Sequence, residues 1–168
     1  MFDLREYVIM KIHTYMKQNV ISVPVTATVM EAADLFVQHH IGTLPVVDAE
    51  QKLVGILHLS DLLELVMPVF VNLVHDFDFV TEDFGDYEDL RPSPQTAVQS
   101  VKTLMEPPFS VSTNAGLLLA FATMKKHNAY DLPVVNEHGQ LVGLASRVDI
   151  GTALIGRWHE DLNEEIRD

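Results

Sequence analysis

Two short stretches of this sequence carry side chains able to grip a polar ligand. Gly143-Leu144-Ala145-Ser146-Arg147-Val148-Asp149 offers a hydroxyl, a guanidinium and a carboxylate. Gly55-Ile56-Leu57-His58-Leu59-Ser60-Asp61 has the same glycine and the same acid six residues later. Each reads as a strand running into the first turn of a helix. At such a junction free amides and the positive end of the helix dipole converge, and anions, phosphate in particular, bind there. A guanidinium suits phosphate oxygens, and a carboxylate in the first helical turn can accept from both hydroxyls of a ribose. Ser146-x-x-Asp149 is equally a capping box, in which hydroxyl and carboxylate satisfy the helix's own amides. Spacing alone leaves both readings open.

The two stretches are copies. Sliding the chain by 88 residues lays 23–62 over 111–150 without a gap, and twelve of those forty pairs are identical. Leu44-Pro45-Val46-Val47 meets Leu132-Pro133-Val134-Val135, Leu53-Val54-Gly55 meets Leu141-Val142-Gly143, and Asp61 meets Asp149. A duplication of this length fixes the architecture before any single element does. Each copy reads as strand, helix, strand, strand, helix. The first strand covers 20–23 and is broken by Pro24. Thr28 and Glu31 have capping-box spacing, and Val29, Ala32, Ala33, Phe36 and Val37 follow at helical intervals. Residues 44–47 and 53–57 form a hairpin around the polar turn 48–51, and a second helix begins near Ser60. In the second copy the turn is 136–139 and the last helix runs from Arg147 to Ile155 or beyond. Gly116 replaces the capping threonine, so that helix starts more weakly. One copy is too small to close a core, so the fold class is α+β: two pseudo-symmetric repeats packed sheet to sheet, with two equivalent clefts at the seam. Residues 5–16 are expected to form a leading helix capping the first repeat.

Three segments follow: 1–75, leading helix and first repeat; 76–97, an acidic linker; 98–168, second repeat and C-terminal helix. Residues 76–89 hold seven acids and no base. They read as a solvated linker with aromatic anchors at Phe77, Phe79, Phe84 and Tyr87. A calcium loop fails there, because Val80 and Thr81 stand where a ligand and the obligatory glycine belong. Asp83-Phe84-Gly85 lacks the companion motifs of a kinase.

Composition narrows the function. Eleven Lys+Arg against twenty-four Asp+Glu give a formal charge of −13, which argues against nucleic acid and anionic membranes as partners. The absence of cysteine excludes disulfides, thiolate metal sites and a cysteine nucleophile, and fits a reducing compartment. Residues 62–74 are the longest apolar stretch, but Glu64, Pro68 and Asn72 interrupt it and a spanning helix needs about 20 residues. The N-terminus has charges inside its apolar run and no cleavage-like site, so no signal peptide is expected. None of the eight histidines has a metal-binding partner at helical spacing. His39 and His127 fall at helix ends, where an imidazole favours the negative dipole pole. No Gly-rich phosphate loop, nucleophile elbow or carboxylate cluster outside the linker supports turnover, so no catalytic residue is assigned.

The duplicated Leu-Pro-Val-Val, Leu-Val-Gly and downstream aspartate resemble a tandem CBS-domain pair, or Bateman module, of the family named after cystathionine β-synthase. The resemblance covers about 8–74 and 98–155. It implies a non-catalytic, cytoplasmic sensor module that binds AMP, ADP or ATP, or S-adenosylmethionine, between its repeats. It also implies a homodimer formed through the helices around 62–74 and 152–155, and an effector protein. By this resemblance Asp149 would bind ribose, with Ser146 three positions earlier and Arg147 on phosphate. Phe109, Ser110, Tyr130, Asp131 and Pro133 would surround the adenine. The other site would use Ile21, Ser22, Thr43, Pro45, His58 and Asp61. His58 and Leu59 depart there from the pattern, so the C-terminal site is expected to be the stronger. The acidic charge disfavours polyphosphates unless Arg147, Lys125 and Lys126 offset it, which favours AMP or ADP over ATP. The alternative is a ligand-free scaffold for dimerisation and partner binding, its cleft plugged by Tyr130 or His58.

Overall fold

The computed structural model describes residues 10–67 and 91–167, with side chains as far as Trp158. The acidic stretch 76–89 and most of the apolar stretch 62–74 lie outside the described residues.

Each repeat builds one three-stranded sheet and two helices. The first contains β1 (Val23–Pro24), α1 (Val29–His39), β2 (Thr43–Val47), β3 (Leu53–His58) and α2 (Leu59–Glu64). A short helix α3 (Pro94–Ala97) follows, capped by Ser93. The second contains β4 (Val111–Ser112), α4 (Leu117–Lys126), β5 (Asp131–Val135), β6 (Leu141–Ser146) and α5 (Arg147–Arg167). The sheets have orders β1-β2-β3 and β4-β5-β6. In each, the first strand is parallel and the third antiparallel to the middle one. Leu44 pairs with Leu57 as Leu132 pairs with Ala145, so the duplication extends to register.

The local chemistry explains the boundaries. Thr28 and Glu31 form the predicted box: the Thr28 amide donates to Glu31 Oε2 at 2.7 Å and the Glu31 amide to Thr28 Oγ1 at 3.2 Å. Gly116 caps α4 with no side-chain bond. Both hairpin turns are held by one side-chain oxygen. Asp48 Oδ1 accepts from the amides of Glu50 and Lys52, each at 2.9 Å, and Asn136 Oδ1 accepts from those of His138 and Gln140, each at 3.0 Å. The turns end in a left-handed residue, Gln51 at φ 63° and Gly139 at φ 77°, where only the glycine escapes steric cost.

Three expectations are corrected. Pro24 does not break the first strand but ends it, paired with Val47, a position open to proline on an edge strand. The last four residues of the 76–97 segment form α3, with Ala97 buried, rather than linker. Among the described residues, 10–16 is not a helix capping the first repeat. It holds one 3-10 turn (Ile12–Thr14) and lies on the second repeat. The Ile12 amide donates to Ala115 O at 2.9 Å, the Leu117 amide to Met10 O at 3.0 Å, and Lys17 and Leu144 exchange a pair of backbone bonds at 2.9 Å.

The reason is an exchange between halves. Residues 99–106, ahead of the second repeat, lie on the first one in the same way. The Val101 amide donates to Ala27 O at 2.9 Å, and Ile56 and Glu106 exchange bonds at 3.1 and 2.8 Å. Fully buried Ile12 therefore joins the second core, with Leu117, Met124, Leu132 and Ile150, and fully buried Val101 joins the first, with Phe36, Leu44, Val46 and Leu57. Each repeat closes its own core with a segment from the other's approach. This also explains the duplicated glycine: a Cβ on Gly55 would fall onto the Met105 side chain, and one on Gly143 onto Met16. Burying apolar area is worth about 25 cal/mol per Å², so these two segments are structural members of the repeats they cross to.

The sheets meet through their hairpins. The Leu53 amide donates to Gly139 O at 3.1 Å and the Leu141 amide to Gln51 O at 2.9 Å, while Gln140 Nε2 donates to Glu50 O at 3.0 Å. No described helix is long and apolar enough to cross a membrane.

Candidate ligand clefts between the repeats

Both strand-to-helix junctions form as expected. In the second repeat Ser146 ends β6 and Asp149 sits in the first turn of α5, a helix of 21 residues. Asp149 Oδ2 accepts from the Ser146 amide at 2.9 Å and from Ser146 Oγ at 2.7 Å, and the Asp149 amide donates to Ser146 Oγ at 3.1 Å. The capping reading is thus realised. It engages Oδ2 alone, and Asp149 Oδ1 makes no hydrogen bond among the described residues. In the first repeat the His58 amide donates to Asp61 Oδ2 at 2.6 Å, and α2 has only six residues.

Arg147 is anchored rather than free-swinging. Its amide donates to Tyr130 O at 2.8 Å, its Nε to Ala129 O at 2.7 Å, and its guanidinium lies 4.5 Å from the centroid of the Tyr130 ring. Tyr130 itself is 70% exposed. Beside them Phe109 stacks on His127, with ring centroids 4.4 Å apart. His127 is the residue that closes α4, so its dipole-favoured place also serves as a shelf for the aromatic ring. Ser110 is half-buried ahead of β4, and Pro133 is buried in β5 opposite Leu144. The C-terminal group therefore gathers a hydroxyl, a guanidinium, a carboxylate and an aromatic pair.

A cavity of about 280 Å³ opens on the other cleft. Ile21 and Thr43 line it from the first repeat, with Asn19, Val20 and the loop His40-Ile41-Gly42. Lys17 enters from the exchanged segment, and Asp131 and Leu144 from the second repeat. Thr43, 4% exposed, is the one buried polar residue among the described residues, and its position on this cavity wall gives its hydroxyl a polar outlet. Asp131, assigned from sequence to the C-terminal group, thus also lines the N-terminal cleft. Ser22, Pro45, His58 and Asp61 do not border this cavity; Pro45 is buried in β2 opposite Ile56, and Ser22 is half-buried. Among the described residues no group of three or more His, Asp and Glu could hold a metal.

Sequence reasoning missed Lys17, Asn19, His40, Gly42 and Leu144. Lys17 and Asn19 precede the repeat and reach the cleft only through the exchange. His40 follows α1 in the left-handed region at φ 50°, as Asn128 does after α4, and nothing in its sequence marks a place on the cleft.

Comparisons with known proteins agree with this geometry. The profile of the CBS domain matches residues 11–68 and 101–156. The chain is 30% identical over 138 residues to the uncharacterized protein MJ1426 of Methanocaldococcus jannaschii, covering 72% of this chain and 77% of that one. It is 40% identical over 62 residues to the L-aspartate semialdehyde sulfurtransferase of the same organism; the match takes 37% of this chain and 12% of the enzyme's length. Among solved structures it is similar to CBSX2 of Arabidopsis thaliana, crystallised in complex with AMP. That likeness has a TM-score of 0.64 at 26% identity and covers 88% of this chain and 97% of the other. With two matched segments, two sheets and the seam between them in place, the chain belongs to the CBS-domain family as a tandem CBS pair.

Proposed function

We propose that this chain is a non-catalytic, cytoplasmic regulatory module that binds an adenine nucleotide between its repeats and reports it to an effector protein as an energy or ligand sensor. The observation that carries the reading is the C-terminal group: Ser146, Arg147 and Asp149 at the N-terminus of α5, beside Tyr130 and the Phe109–His127 stack. Asp149 Oδ1 accepts from ribose, the terminal amines of Arg147 and the first turn of α5 hold phosphate, and the ligand's adenine lies against Phe109, Ser110 and Pro133. AMP or ADP is favoured over ATP, because each further phosphate adds charge to a chain already at −13. The AMP complex of the similar CBSX2 supports this ligand class.

A thermal-shift series with AMP, ADP, ATP, adenosine and S-adenosylmethionine tests it. A ligand at a hundred times its Kd stabilises the fold by about 2.7 kcal/mol. Asp149→Asn keeps an oxygen for Ser146 but loses the carboxylate; it is expected to weaken AMP at least tenfold with little change in the Tm of the free protein. Silence toward all five compounds at millimolar concentration would overturn the reading. That outcome would favour the scaffold alternative, for which the self-contacts of Arg147 with Tyr130 and of Phe109 with His127 already supply an occupant.

A homodimer fits the exposed apolar residues at the end of each repeat: Leu63 in α2 and Met67 just after it, Val148, Ile155 and Trp158 along α5. Light scattering is expected to give twice the 18.9 kDa chain mass.

A further inference from the structure

We infer that a second copy of this chain docks head to tail: the α1–α2 face of each copy meets the α4–α5 face of the other, so that the same contact forms twice. This rests on the homodimer proposed above and goes beyond it by fixing which surfaces meet and in which direction.

The two faces are equivalent by duplication and unlike in chemistry. α1 packs beside α2, and α4 beside α5. Both faces hold large apolar side chains in solvent: Met30, Val37 and Leu63 in the first repeat, Leu118, Val148 and Ile155 in the second. Met30 and Leu118 occupy the same place in the two copies of the repeat. Exposed apolar surface at matching places marks an interaction surface. Charge then separates the faces. α1 and α2 hold four acids, Glu31, Asp34, Asp61 and Glu64, and no Lys or Arg. α4 and residues 147–158 of α5 hold four bases, Lys125, Lys126, Arg147 and Arg157, against one acid, Asp149. That concentrates four of the eleven Lys+Arg of a strongly acidic chain on one surface. Glu31 and Asp61 cap their own helices and Arg147 is bonded to Ala129. The side chains of Asp34, Glu64, Lys125 and Lys126 are exposed and make no hydrogen bond or ion pair among the described residues.

Shape follows the same division. The first face is hollow: a shallow recess of about 510 Å³ is walled by Phe36, Val37, Ile41 and Leu59. The second is filled at the matching place, where Tyr130 stands for Gly42 and Arg147 for Leu59. The backbone there is kept, since the Leu59 amide donates to Gly42 O at 3.0 Å as the Arg147 amide does to Tyr130 O at 2.8 Å. Only the side chains differ. A pair that joined like faces would set Asp34 and Glu64 against a second Asp34 and Glu64, hollow on hollow, and the lysines against lysines. Joining unlike faces sets acid against base and hollow against filled, and apolar residues still cover apolar residues. The two-fold operation that closes a pair repeats this contact at a second seam.

Sedimentation of the full chain reads the dimer Kd and tests the direction. Asp34→Lys with Glu64→Lys lowers the formal charge from −13 to −9 and so weakens general repulsion between copies. The pair is nevertheless expected to loosen at least tenfold, because basic now faces basic at both seams. Lys125→Glu with Lys126→Glu is expected to loosen it as well, and an equimolar mixture of the two variants should pair again as a heterodimer. All four side chains are exposed, and circular dichroism checks that the variants fold. The orientation can be read without altering those charges on the first face. The chain has no cysteine, and Val37 and Lys125 are matching, exposed positions. Val37→Cys chains mixed with Lys125→Cys chains should be joined by a bis-maleimide, and neither variant should be joined to itself. If the parent is a dimer but Asp34→Lys with Glu64→Lys leaves it as tight, or if each cysteine variant cross-links with itself, like faces meet; this inference then falls and the homodimer stands. If the parent chain is a monomer, these faces are left to another protein or to the chain itself, and both fall.

Discussion

The two repeats share a frame and differ in what decorates it. Their registers coincide, their hairpin turns use the same side-chain device, and their glycines yield to the same methionine contact. Yet one cleft carries arginine over tyrosine while the other has leucine and glycine around an apolar recess. Duplication first produces two equivalent sites, and the positions free of packing duty are the ones able to diverge. Gly55 and Gly143 are constrained because a methionine side chain sits on each; Leu59 and Arg147 are solvent-facing or half-exposed and are not.

The largest effect that would break the comparison lies in the exchanged segments. Ile12→Ala empties a fully buried position of the second core and is expected to cost about 3 kcal/mol in urea unfolding. Amide exchange should rise more in β5 and α4 than in β2 and α1, although Ile12 precedes the first repeat in sequence. Val101→Ala, at a cost of about 2 kcal/mol, should show the opposite distribution. Equal loosening of both halves by both variants would mean that the seam, not the exchange, sets local stability.

Next comes the glycine contact. Gly143→Ala is expected to destabilise by about 1–3 kcal/mol, because the added methyl falls on the Met16 side chain in a packed region. Met16→Ala should remove most of the Gly143→Ala penalty, a coupling a double-mutant cycle would read directly. Gly55→Ala with Met105→Ala should give the same coupling in the first repeat.

The repeat, the element types and the capping residues were legible because each rests on local spacing: Thr28 with Glu31, Ser146 with Asp149, the polar turns after Val47 and Val135. The exchange was not, because nothing local in residues 10–16 distinguishes which of two equivalent surfaces they cover. Ile12 is a buried apolar residue in either arrangement. The site was legible by position rather than by occupancy. Asp149, Ser146 and Arg147 fall together, and Asp131, a strand start at the seam, borders the other cleft, a position that one-dimensional spacing does not encode. Lys17 and Asn19 depended on the exchange and were hidden with it.

The smallest difference is also the sharpest to titrate. Thr28→Ala is expected to cost about 1 kcal/mol, whereas Gly116→Thr should gain only a few tenths, since glycine is already a tolerable cap. The acid half of the box adds a pH signature. The Thr28 amide and then its hydroxyl donate to Glu31 and hold its carboxyl below the usual value of 4.5. The folded state therefore prefers the charged form. Its contribution is complete above the ordinary glutamate pKa and disappears as pH falls through the depressed folded value. The stability gap between the parent chain and Glu31→Gln should thus narrow on acidification, and salt should shrink it, because the group is exposed. In the second repeat Leu119, 59% exposed, occupies the matching place and cannot titrate. Gly116→Thr with Leu119→Glu should give α4 the same acid-sensitive gap. A pH-independent gain from that pair would show that the second repeat, though superimposable in sequence register, holds its first helix start in a geometry that the box cannot adopt.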